Sequence, residues 1–103
     1  MLDVLATGYP SLDHIIPVSH LPSPGQTALL GAALASAQAD YGGCGANVAV
    51  GLQRLGFQSG VAMVLGDDAD GERYRAYLSV AGVDCQNLVH LAATHTSSSY
   101  LFR

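Results

Sequence analysis

The chain has 103 residues, of which 50% are hydrophobic and 12% are charged, and its net charge is −4. That size allows one domain or part of one, and the apolar content is too high for a disordered chain. With only four basic residues, a nucleic-acid-binding surface is not expected. The sequence has neither an apolar run of ~18 residues for a membrane span nor a basic signal-peptide start. We predict a cytoplasmic protein whose two cysteines, Cys44 and Cys85, are free thiols.

Two short strands are predicted in the first third of the chain. Residues 3–8 form an apolar run that ends in glycine, which predicts a buried strand. Residues 14–18 predict a second strand, and Pro17 places it at the edge of a sheet. A turn follows at 21–25. Residues 27–39 stay ambiguous, because their alanines and leucines favour a helix while turn signals flank them and no cap is present.

Two helices and an intervening strand are predicted after residue 44. Residues 45–56 carry apolar residues at helical spacing, and Gly56 is suited to end the helix. The continuous apolar run at 59–66 predicts a strand buried on both faces of a sheet. Asp70 is expected to cap the second helix, and Gly82 to end it. The predicted apolar face of that helix consists of Tyr74, Tyr77, Leu78 and Ala81.

The order of these elements predicts an α/β fold. Alternating strands and helices form right-handed crossovers, which give a parallel sheet with helices packed against it. Further strands are predicted at 88–91 and 98–102. Residues 9–41 interrupt the alternation with strand-like pieces and turns, so a small second sheet is expected there. Because the chain stops inside an apolar run, we expect it to be the front portion of a longer protein.

A glycine-rich turn at residues 42–45 leads directly into the predicted helix 45–56. Glycines let a backbone approach a ligand closely, and the first turn of a helix offers free N–H groups to polar or anionic atoms. Asn47 adds a side-chain amide in that first turn. A dinucleotide-binding Gly-x-Gly-x-x-Gly loop is the weaker interpretation, because Val48 stands where the third glycine is needed. We therefore predict a ligand-binding turn.

Five short segments occur in a specific order along the chain. They are residues 8–13, residues 24–27, residues 42–49 with 54–56, the Gly-x-Asp-x-x-Gly turn at 66–71, and residues 80–84. Together they resemble the N-terminal third of the ribokinase-like carbohydrate kinases, also called the pfkB family. The resemblance implies a parallel sheet flanked by helices, with a small β-sheet lid over a sugar site. The implied lid segments are approximately 11–41 and 88–103.

The resemblance implies ATP-dependent phosphorylation of a hydroxymethyl group on a small-molecule sugar or nucleoside. The second family signature, Asp-Thr-x-Gly-Ala-Gly-Asp, supplies the catalytic base and the anion hole, and this sequence does not contain it. We therefore expect no catalytic residue in this chain, and we expect ATP and Mg²⁺ to bind mainly to the rest of a parent protein. The isolated chain is expected to be inactive. Lids of this family often pair subunits, so a homodimer through the lid is a further expectation.

The resemblance also assigns substrate binding to particular residues. They are Ser11, Asp13, Gly42, Gly43, Cys44 and Asn47. Asp13 would accept hydrogen bonds from sugar hydroxyls, Asn47 would bind another hydroxyl, and Gly43 would let the sugar approach the backbone. Ser11 replaces an asparagine common in sugar-specific members, and Cys44 replaces a lysine of ribokinases, so the sugar is left open. Considered without the family, Asp13 is better explained as a turn cap.

Two other classes of protein fit the same residues. One is a non-catalytic sugar-binding or scaffold protein that keeps the front half of the fold. The other is a nucleotide-binding regulatory α/β domain. A metal site is not expected, because the four histidines lack the spacing of metal ligands.

Overall fold

The computed structural model describes residues 1–30 and 38–103, which form two separate sheets and the helices that pack on one of them. The elements of this described part are, in chain order, β1 (Val4–Thr7), β2 (Ser11–Ile16), β3 (Gln38–Gly42), α1 (Cys44–Arg54), β4 (Ser59–Gly66), α2 (Ala69–Val80), β5 (Asp84–Leu91) and β6 (Ser98–Phe102). The core sheet has the order β1-β4-β5 and is parallel. The small sheet has the order β3-β2-β6, with β2 antiparallel to β3 and parallel to β6. The predicted α/β fold with a second, smaller sheet is confirmed.

Both helices pack on one face of the core sheet. Because β1, β4 and β5 lie side by side in the same order as they follow along the chain, right-handed crossovers carry α1 and α2 over the same face. That face buries Met63, Leu65 and Leu88 beneath the helices. On the opposite face Val64 is 51% exposed. The prediction that β4 is buried on both faces is therefore wrong for the described residues.

The strand β1 also differs from its prediction as a buried strand. Its residues alternate between partly buried and exposed, and Leu5 is 52% exposed. The reason is its position, since β1 pairs with β4 on one side and forms the edge of the core sheet in the described part of the chain.

Glycines end both helices as predicted. Gly56 has φ +94°, donates its N–H to the carbonyl of Gln53, and lets Phe57 donate to the carbonyl of Leu52. This pair of bonds satisfies the last carbonyls of the helix, and Gly82 repeats the arrangement with φ +87° at the end of α2.

The cap of α2 was predicted at the wrong aspartate. Asp68, with an extended backbone (φ −140°), precedes the helix and accepts a hydrogen bond from the N–H of Gly71 at 2.7 Å. Asp70 already lies inside the first turn, where it pairs with Arg73 at 3.4 Å. A cap must come before the first helical residue, and only Asp68 has that position.

Two corrections concern the small sheet. β2 lies at the centre of this sheet, so the edge position that Pro17 predicted is wrong, because the strand ends one residue before the proline. Leu88–Leu91 belong to β5 of the core sheet, where Leu88 pairs with Met63, so only the later part of the predicted segment 88–103 joins the small sheet.

Of the ambiguous stretch 27–39, residues 27–30 carry no helix or strand, and 38–39 lie in β3. Residues 31–37 lie outside the described residues.

Three tyrosines join the small sheet to the helical layer. Tyr41 of β3 stacks on Tyr77 of α2, with ring centroids 4.3 Å apart. Its ring also meets the edge of the fully buried Tyr74 at 5.8 Å. These contacts fix the end of β3, and therefore the start of α1, against the core.

Neither of the helices described here is long and apolar enough to cross a bilayer.

Candidate functional site

The carboxylate of Asp13 is held at the junction of the two sheets. Asp13 lies in β2, and its Oδ1 accepts a hydrogen bond from the hydroxyl of Ser11 and another from Ser99, each at 2.6 Å. These two bonds, the one from Ser11 first, lower the pKa of Asp13 below its ordinary value, although burial opposes the shift. The group is therefore an ionised, partly buried acceptor whose orientation is fixed.

A glycine turn runs directly beneath this carboxylate. A Cβ atom on Gly42 would collide with Oδ2 of Asp13, and one on Gly43 would collide with the carbonyl oxygen of Tyr9. Gly43 also has φ +101°, a backbone conformation that side chains disfavour. The chain can pass this close to Asp13 and to the end of β1 only because both positions are glycine.

The first turn of α1 begins at this glycine turn. No side chain in the described ranges caps the helix at Gly43, and Cys44, its first residue, is exposed. Asn47 is also exposed, and its backbone N–H donates to the carbonyl of Gly43 at 3.0 Å. A helix start without a capping side chain presents N–H groups to polar atoms. We call Gly42, Gly43 and this first turn the glycine cradle.

The structure brings four of the six predicted residues into contact. Ser11 pairs with Gly42 across the small sheet and bonds Asp13, while Asp13 lies against Gly42 and Gly43 follows. Cys44 and Asn47 lie on the adjoining helical turn. That the amide of Asn47 faces Asp13 stays a prediction.

Buried support for the cradle comes from Tyr74. Its hydroxyl donates a hydrogen bond to the carbonyl of Gly42, and its side chain is 0% exposed. Burial raises the pKa of Tyr74 to about 12, so the hydroxyl keeps its proton at neutral pH and remains a donor. The helical spacing of Tyr74 predicts its place on the apolar face of α2 but does not indicate this polar contact.

Two further polar residues at the site were not predicted. Ser99 of β6 reaches Asp13 because β2 and β6 are parallel partners in register. Asp40 of β3 is the direct cross-strand partner of Asp13, so two carboxylates share one face of the small sheet. Ionised carboxylates accept hydrogen bonds and donate none. This face therefore favours a ligand that supplies several donors, such as the hydroxyls of a polyol.

Two of the open cavities in the described part of the molecule have different linings. One of about 380 Å³ adjoins the loop after β1 and is lined in part by Gly8, Tyr9 and Pro10, and the carbonyl of Tyr9 lies against Gly43 of the cradle. A groove of about 600 Å³ runs between α1 and α2 and includes Tyr41 and Arg54. None of the six predicted residues lines either cavity. We place the candidate site at the cradle, because the polar groups converge there.

Comparison with known proteins decides the family. The model of the pfkB family carbohydrate kinases matches residues 2–103. The chain belongs to the pfkB family. A nucleoside kinase of Methanothermobacter thermautotrophicus is 29% identical over 99 residues, which is 96% of this chain and 31% of that protein.

Solved structures agree with this assignment. The crystal structure of a Methanocaldococcus jannaschii nucleoside kinase, described as an archaeal member of the ribokinase family, superposes with a TM-score of 0.81 at 28% identity over 95% of this chain. A ribokinase from Cryptococcus neoformans, solved in complex with ADP, gives 0.78 at 26% identity over 95% of this chain. This pfkB family chain spans 31% and 30% of these two relatives, respectively.

Proposed function

We propose that the parent of this pfkB family chain is an ATP-dependent kinase that phosphorylates a hydroxymethyl group of a sugar or nucleoside. The observation that carries the proposal is the Asp13 carboxylate, which Ser11 and Ser99 hold above Gly42 just beyond the end of β1. Ligands of open α/β folds bind beyond the carboxyl ends of the strands. The family membership supplies the reaction class.

In this proposal, Asp13 accepts hydrogen bonds from hydroxyls of the acceptor substrate and fixes its orientation. Gly42 and Gly43 leave room for the substrate beside the backbone, and Asn47 binds a further hydroxyl. Ser11 orients the carboxylate through its 2.6 Å bond. Cys44, exposed at the start of α1, lies at the edge of the acceptor site. Holding the acceptor in one orientation is a large part of what accelerates phosphoryl transfer.

The carboxylates beside the cradle do not fit the nucleotide. Asp13 and Asp40 share one face of the small sheet, and two carboxylates would repel a triphosphate. The arginines Arg54 and Arg73 line the groove between the helices instead. We therefore propose that ATP and Mg²⁺ bind mainly to the rest of the parent protein, and we derive no catalytic step through them.

The surroundings of the parent are also part of the proposal. The net charge of −4 disfavours nucleic acid as a partner, and we propose a cytoplasmic enzyme that takes a small-molecule acceptor. In the described part, β3 and β6 are the edges of the small sheet, and Leu101 of β6 is 50% exposed. Unpaired edges with apolar side chains favour pairing with a second copy. We propose that the small sheet serves as a lid and as the contact of a homodimer.

A direct assay tests the activity. The full-length parent should transfer the γ-phosphoryl group of ATP to at least one member of a panel of sugars and nucleosides. Residues 1–103 alone should transfer none, because the family signature that supplies the anion hole is not in this sequence. If the parent binds a sugar but phosphorylates no member of the panel, the protein is a sugar-binding or scaffold protein and the proposal fails.

A further inference from the structure

The Gly-x-Asp-x-x-Gly segment, residues 66–71, surrounds one buried residue of the loop between β5 and β6. That residue is Thr96, which is 6% exposed. Asp68 accepts a hydrogen bond from the Thr96 N–H through Oδ2 at 2.8 Å, and from the Thr96 hydroxyl through Oδ1 at 2.7 Å. Of the hydrogen bonds that the Asp68 side chain accepts, only the one from the Gly71 N–H is a helix-cap bond. The segment therefore does more than start α2.

The two glycines of the segment serve the same contact. The N–H of Gly66 donates to the hydroxyl of Thr96 at 3.0 Å. A Cβ atom on Gly66 would collide with the carbonyl oxygen of Thr94 and would lie 2.6 Å from the Thr96 nitrogen. One on Gly71 would collide with the carbonyl oxygen of Gly66 and would lie 3.0 Å from the Thr96 hydroxyl oxygen. Both distances are too short for a side chain to be accepted without movement. The end of β4 and the start of α2 are thus shaped to hold Thr96.

A short extended segment connects Thr96 to Asp13. The carbonyl of Ser97 accepts a hydrogen bond from Leu12 at 3.0 Å. Ser99 then pairs with Asp13 and donates its hydroxyl to Oδ1 at 2.6 Å. Only Ser97 and Ser98 separate Thr96 from Ser99, and three residues of extended chain span at most about 10 Å, so the position of Thr96 restricts that of Ser99.

We propose that Asp68 and Thr96 are positioning residues for the acceptor site: they fix the start of β6, so that Ser99 meets Asp13 in the geometry that binds substrate. The inference rests on the proposed function, in which Asp13 holds the acceptor. Asp68 and Thr96 do not touch the substrate. They join the core sheet to the strand that orients the substrate-binding carboxylate.

The test uses two variants of one side chain in the full-length parent. Thr96→Val keeps the shape but removes the hydroxyl that donates to Asp68 and accepts from Gly66, whereas Thr96→Ser keeps that hydroxyl. Thr96→Val should weaken acceptor binding about three- to tenfold, because only part of the free energy of the two lost hydrogen bonds is transmitted to Asp13. The same substitution should raise the KM for the acceptor, with little change in kcat or in nucleotide affinity. Thr96→Ser should restore the wild-type values.

Two controls separate positioning from general stability. Asp70→Asn changes a partly exposed aspartate of the same segment that pairs with Arg73, and it should leave acceptor binding unchanged. In a Ser99→Ala background, Thr96→Val should add less than a twofold effect, because its route to Asp13 has been removed. Equal losses of acceptor and nucleotide affinity, or fully additive effects of the two substitutions, would overturn the proposal.

A second readout does not depend on substrate. Asp13, selectively labelled with carbon-13, reports its own titration by NMR, while Asp40 opposite and His14 beside it are the same in every variant. Thr96→Val should raise the pKa of Asp13 in the direction that Ser99→Ala raises it. An unchanged pKa overturns the positioning role. A raised pKa with unchanged acceptor binding would instead uphold the positioning role and refute Asp13 as the acceptor-binding group.

Discussion

The hydroxyl of Tyr74 is the buried support of the glycine cradle, and Tyr74→Phe removes it without removing the ring. The ring is 0% exposed and packs against Tyr41, so these contacts remain. What is lost is the donor to the carbonyl of Gly42, which itself lies in a buried residue. A buried acceptor that loses its donor costs about 1–3 kcal/mol. We expect the free energy of unfolding to fall by that amount.

Urea unfolding of the full-length parent, followed by circular dichroism, measures this loss as a lower midpoint at an unchanged slope. Tyr77→Phe is the matched control. Its ring stacks on Tyr41 but is only partly buried, so water can replace any partner of its hydroxyl, and a change below about 0.5 kcal/mol is expected. Equal stability of Tyr74→Phe and wild type, or equal losses in both variants, would show that the Tyr74 hydroxyl does not support the cradle.

Three other outcomes are expected. Cys44, exposed in the cradle, should react with iodoacetamide before Cys85, because burial raises the pKa of the Cys85 thiol. Bound acceptor should protect only Cys44, and equal reaction rates of the two thiols would contradict this. Gly42→Ala should weaken acceptor binding more than nucleotide binding in calorimetry, because its Cβ displaces the Asp13 carboxylate, and an unchanged acceptor affinity would contradict the placement. Bonds from the backbone and side chain of Thr96, then from Gly71, lower the pKa of Asp68 below 3.8. The stabilising effect of ionised Asp68 is present above pH 3.8 and is lost as the pH falls through the lowered pKa. Asp68→Asn should therefore flatten that part of the curve of unfolding free energy against pH. Parallel curves for the variant and the wild type would contradict this.

Local signals in the sequence predict the core of the fold well. The apolar run of β4 coincides with the observed strand, and the glycines Gly56 and Gly82 end the helices where expected. These features depend on residues close together in the chain. The start of β5 was missed because three of the first four residues of the strand are polar, namely Asp84, Gln86 and Asn87.

Features that depend on distant pairing were not predictable from local patterns. The central position of β2 arises from its pairing with β6, which joins Asp13 to a serine 86 positions away. The family resemblance indicated Asp13, the glycines and Asn47, but not Ser99, which orients the carboxylate. The cap of α2 was expected at Asp70, and only the fold shows that Asp68 both caps the helix and holds Thr96.

The central claim is that Asp13 binds the acceptor substrate. Asp13→Ala removes a charge-assisted acceptor, and one such hydrogen bond contributes about 1.5–3 kcal/mol. Calorimetry on the full-length parent should therefore show acceptor affinity reduced about ten- to a hundredfold, while nucleotide affinity is nearly unchanged. Unchanged acceptor affinity in a folded Asp13→Ala protein would contradict the account and leave Asp13 as a structural residue of β2 rather than the turn cap that its sequence alone suggested.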